Sequence, residues 1–73
     1  MINEKRTAKH ISEVLLKCGA DLNESILYVQ ENCSDEEFKA YRDAASKIMA
    51  EILFEGLNPV FQQHPDLKPE GLD

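Results

Sequence analysis

The six residues Cys33-Ser34-Asp35-Glu36-Glu37-Phe38 constrain this chain more than any other stretch. Ser34 followed three residues later by Glu37 has the form of a capping box. In it the serine hydroxyl accepts from the N3 backbone N–H, and the N3 carboxylate accepts from the N–H of the cap. Asp35 and Glu36 add negative charge at the positive end of the incoming helix. Cys33 before the cap and Phe38 at the fourth helical position are spaced as a hydrophobic staple. One helix therefore ends near Asn32 and another begins at Asp35, and a link this short forces the two to run antiparallel.

The apolar pattern on either side agrees. Upstream, Ala8, Ile11, Leu15, Cys18, Leu22, Val29 and Cys33 follow spacings of three and four, with Ser25 filling one slot and Val14 and Ile26 widening the stripe. That is an amphipathic helix over about residues 4–32, with Asn3 as its expected N-cap. Gly19 is the one complication. A glycine costs about 1 kcal/mol inside a helix and also makes a good stop, and Asp21 with Glu24 could open a second helix. The register passes through Gly19 without a change of phase, which favours one helix, straight or kinked, over two.

Downstream, a helix over residues 35–55 is expected to bury Phe38, Tyr41, Ala45, Ile48 and Ile52, with Met49 and Leu53. Ala40, Ala44, Ala45 and Ala50 leave room for close helix approach. Gly56 reads as the stop, and Asn58-Pro59 as a fresh N-cap with proline at N1, opening a short third helix over 59–63. Pro65 should end that helix, and Pro69 should keep residues 65–73 as an extended tail in which Leu67 and Leu72 tuck against the helices. The fold class is thus all-α: one domain over 1–64 made of an antiparallel helical hairpin plus a short C-terminal helix.

Size then bears on assembly. A chain of 73 residues buries only about 60% of the surface its unfolded form exposes, so two helices alone are marginal. Two cysteines are too few for a disulfide framework, and on one continuous helix their sulfurs would stand about 22 Å apart. Self-association is the remaining support, and two hairpins face to face make a four-helix bundle. The expected interface between copies is Leu15, Leu22, Tyr41, Ala45, Ile48 and Ile52.

Charge bears on partners. The formal net charge is −6, and residues 18–38 carry six acidic groups and no basic one. An acidic chain is a poor nucleic-acid binder, because affinity for phosphates rests on Lys and Arg. A basic protein partner suits the acidic middle better, with Asp21, Glu24 and Glu31, together with Leu67 in the tail, as the expected contacts. No run of about 20 apolar residues is long enough to span a membrane, and no apolar stretch follows the charged N-terminus as in a secretory signal. A cytoplasmic protein with reduced cysteines is expected.

Sites of chemistry are sparse. His64-Pro65-Asp66 resembles the signature of J-domain co-chaperones, in which the tripeptide lies between two antiparallel helices after a basic helix and stimulates a chaperone ATPase. The resemblance covers these three residues, the preceding FEGLNPVFQQ contains no Lys or Arg, and proline punctuation accounts for the same letters. His10, Cys18, Cys33 and His64 lack the paired spacings of metal ligands, although His10 and Glu13 share a helix face. Neither cysteine has an evident base beside it, and the carboxylates at helix starts act as caps. No catalysis, metal or cofactor is therefore expected. The reading is a small interaction or regulatory protein, of the adaptor, assembly-factor or toxin-neutralising type, acting as a homodimer that binds another protein. The alternative is a nucleic-acid-associated regulator using Lys5, Arg6, Lys9 and Lys17.

Overall fold

A computed structural model describes residues 1–69. Helix α1 spans Lys5–Asn32, α2 spans Asp35–Glu51, a π-helical segment covers Ile52–Leu57, α3 spans Asn58–Gln63, and Pro65–Leu67 form a 3-10 turn. No strand occurs among the described residues. The all-α hairpin is as the sequence implies. The capping box at Ser34 is fully formed, with Glu37 N–H donating to Ser34 Oγ at 3.2 Å and Ser34 N–H to Glu37 Oε1 at 3.1 Å. Of the two staple residues, Cys33 is exposed and the Phe38 ring lies under the Arg42 guanidinium, 5.2 Å from the ring centre.

Helix α1 runs unbroken through Gly19, whose missing β-carbon has nothing within 4 Å. Its N-cap is Glu4, not Asn3: the Glu4 carboxylate accepts from Arg6 N–H at 2.6 Å and Thr7 N–H at 3.0 Å. The reason is tertiary, because the Asn3 side chain is already engaged by the Gln63 amide.

A further correction concerns Gly56. It does not stop a helix; the chain continues through the π segment into α3, and Asn58 has helical angles (φ −58°, ψ −46°) in place of a cap geometry. Here the N–H of Asn58 reaches back five residues to the Leu53 carbonyl. The wider turn suits Pro59, which has no N–H to give and whose ring would otherwise press on the carbonyl four residues earlier. The helix finally ends at His64 (φ −131°, ψ 74°), a residue that the following Pro65 holds out of α geometry. Beyond it Leu67 N–H bonds back to the His64 carbonyl at 3.0 Å, so the segment begins as a turn, not as an extended tail. Leu67 does pack on the core; Leu72 lies outside the described residues.

The core sits at one end of the hairpin. Ala8, Leu57, Val60 and Phe61 are buried together, with Ile2, Leu15, Leu16, Ile52, Leu53 and Leu67 packed around them. The opposite end, toward the Cys33-Ser34 turn, is two helices thick among the described residues. The shape follows: the molecule measures 45 × 20 × 15 Å with a radius of gyration of 14.5 Å, where a compact domain of this length has about 11 Å.

Candidate interaction surface

Halfway to the turn, the hairpin is joined by a polar contact inside an apolar seam. Ser25 donates to the Leu22 carbonyl at 2.6 Å, and its oxygen lies 2.6 Å from the Tyr41 hydroxyl. Both hydroxyls are thereby satisfied where burial would otherwise penalise them. This explains a serine in the apolar stripe, and it turns Tyr41 toward its own hairpin.

The six residues expected between copies consequently divide. Ala45 is 0% exposed and belongs wholly to the chain's own core. Leu15 and Ile52 pack against the buried cluster, and Leu22 and Tyr41 are half-buried. Ile48, expected inside, is 51% exposed. Two neighbours join it that the expected set omitted: Val14, 44% exposed, and Cys18, also exposed.

Helical geometry places these three on one side. Val14 precedes the core position Leu15 by one residue, about 100° backward around the axis. Cys18 and Ile48 each follow a core position, Leu15 and Ala45, by three residues, which is about 60° backward. Antiparallel helices turn in opposite senses seen from one end, so backward offsets on both fall on the same side of the hairpin. Their heights match as well. Seven residues back from Ser25 is Cys18 and seven forward from Tyr41 is Ile48, equal steps from a bonded pair. Leu16, offset forward from Leu15, is half-buried and, like Leu15, packs on the cluster of Ala8, Leu57, Val60 and Phe61.

The partner contacts proposed from sequence do not form one surface. Asp21, Glu24 and Glu31 are all exposed; Glu24 and Glu31 lie on the outer face of α1 beside Tyr28, which is 70% exposed, whereas Asp21, seven residues after Val14, falls at the edge of the Val14 side. Asp21 is paired with Lys17 at 2.9 Å. Leu67 is half-buried at the far end of the molecule, so it does not share a surface with them.

The His-Pro-Asp tripeptide is not in the turn between the two long helices. It ties the two ends of the chain together: His64 Nε2 lies 2.8 Å from the Ile2 carbonyl oxygen, and Asp66 pairs with Lys5. Gln63 Oε1 accepts from the Met1 amine at 2.8 Å and from Ile2 N–H at 3.2 Å. Sequence reasoning had no signal for this latch, since its partners are some sixty residues apart.

Perturbed ionisation follows caps and ion pairs. Hydrogen bonds from Ser34 hold the Glu37 carboxyl below its ordinary range, those from Thr7 and Arg6 do the same for Glu4, and Lys5 lowers Asp66. Asp21 raises Lys17. All four groups are solvent-exposed, and each shift has a structural partner as its cause. Among the described residues no cluster of His, Cys, Asp and Glu has the arrangement of a metal site, and no helix is long and apolar enough to cross a membrane. No protein-family model, curated protein or solved structure matches the chain.

Proposed function

We propose that this chain is a small all-α interaction protein that works as a homodimer and, in that form, docks another protein without catalysis of its own. The observation that carries the reading is uncovered apolar surface on a thin hairpin. Val14, Leu27, Tyr28, Ile48 and Phe54 are large apolar side chains left exposed, while the buried apolar core amounts to Ala8, Ala45, Leu57, Val60 and Phe61. The accessible surface is 5451 Å², against about 4,600 Å² for a compact chain of this mass. A second copy is the simplest cover, completing a four-helix bundle.

A basic protein segment suits the outer face of α1, where Tyr28 stands between Glu24 and Glu31 on neighbouring turns; aromatic anchors of this kind carry much of the energy at interfaces. The nucleic-acid reading is weaker, because two of its four cations are engaged, Lys5 by Asp66 and Lys17 by Asp21. Light scattering after gel filtration at tens of micromolar tests the dimer: twice the 8.3 kDa chain mass supports it, and a cooperative, well-folded monomer removes it. Salt-dependent retardation of DNA or RNA at low ionic strength would favour the alternative.

A further inference from the structure

We infer that the two copies pair head to tail, with the Val14, Cys18 and Ile48 face of each hairpin against the same face of its mate and the two-fold axis passing near Cys18. The inference rests on the homodimer reading above and adds its face and its orientation. Three observations carry it.

The first is position. Cys18 lies midway along α1 (Lys5–Asn32), and Ile48 stands level with it on α2, so the apolar patch is centred on the long axis of the hairpin. A central patch can meet its own copy with full overlap of the two molecules.

The second is charge. Residues 18–47, which form the turn end, hold seven carboxylates against three cations, whereas the described residues of the open end, 1–17 and 48–69, hold five of each. Parallel pairing would set two turn ends, each at net −4, side by side. Head-to-tail pairing sets each net −4 end against the less acidic remainder of its mate, net −2 over residues 1–17 and 48–73, which carries Lys5, Arg6 and Lys9. Like charges in juxtaposition are the costlier arrangement, and they select orientation even where they add little affinity.

The third is area. In projection a long face of this body, 45 Å by 20 Å, covers about 900 Å² and an end, 20 Å by 15 Å, about 300 Å², and a standard stable interface takes about 800 Å² from each partner. Overlap along the long faces reaches that area; pairing through the ends of the hairpins does not.

The two native cysteines test orientation and face separately. A Cys18→Ala chain carries a single thiol, Cys33, fifteen residues from the proposed axis. Spin labels on Cys33 in the dimer should then lie about 45 Å apart head to tail, from twice fifteen rises of 1.5 Å. A distance below about 20 Å would mean parallel pairing and overturn the orientation. A Cys33→Ser chain keeps Cys18 alone, and a short bismaleimide should join two chains into one species of doubled mass. Failure to join in a sample that scatters as a dimer would overturn the choice of face. Light scattering on the same samples separates both failures from that of the underlying reading, since a monomeric mass removes the dimer itself.

Discussion

Gly56 lies so close to Leu15 that a β-carbon at position 56 would come within 2.8 Å of Leu15 Cδ1. The glycine is where the π segment presses against α1, and the absent side chain is what allows the contact. At Gly19, inside α1, no such neighbour exists. The two glycines therefore respond oppositely to the same change. Gly19→Ala should stabilise by about 0.5–1 kcal/mol, the helix-propensity difference. Gly56→Ala starts from a similar propensity gain but must displace Leu15 from a packed site, so its net effect should be neutral or destabilising. Urea melts of the two single variants check the contrast, and two equal stabilisations would contradict the contact.

Ile48→Asp separates fold from assembly. With half of its surface exposed in the single chain, Ile48 can accept a carboxylate without leaving an unpaired charge in the hairpin core. It cannot do so at the centre of an apolar interface, where desolvation of the charge is costly. The variant should keep its helical circular dichroism at low temperature and scatter at once, not twice, the 8.3 kDa chain mass. An intact dimer would place the interface on another face.

Removing the capping hydroxyl with Ser34→Ala should cost about 1 kcal/mol, seen as a fall in Tm of roughly 4–8 °C for a domain of this size. Glu37 supplies the pH dependence. Its carboxyl is lowered in the folded chain by bonds from Ser34, so its contribution is present above the ordinary Glu range and lost as pH falls through the lowered value. The deficit of Glu37→Ala relative to the native chain should thus be full at pH 7 and shrink below about pH 4. A deficit constant from pH 7 to 3 would contradict the capping role.

Truncation after Gln63 removes His64 from the Ile2 carbonyl, Asp66 from Lys5 and Leu67 from the core cluster. The expected outcome is a Tm lower by several degrees, chiefly from the lost Leu67 burial and the His64 bond, at about 1–2 kcal/mol together. Unchanged melting would mean that the latch contributes nothing to stability, and the segment would then be read as a recognition tail.

Local signals determined the skeleton of this protein. The capping box at Ser34, the apolar register that carries α1 through Gly19, and the proline after His64 act within a turn or two of helix, so propensity and spacing alone reveal them. The tertiary structure decided which apolar residues are used where. Ala45 and Ile48 belong to one amphipathic stripe, yet Ala45 is fully buried and Ile48 is left half exposed. A stripe wider than a single neighbour can cover does not say which of its edges will be covered. Likewise Gly56 and Asn58-Pro59 carry every local mark of a stop and a restart. The chain nevertheless runs on as helix, because continuing it lays Leu57, Val60 and Phe61 against Ala8, and that burial outweighs the local preference to break.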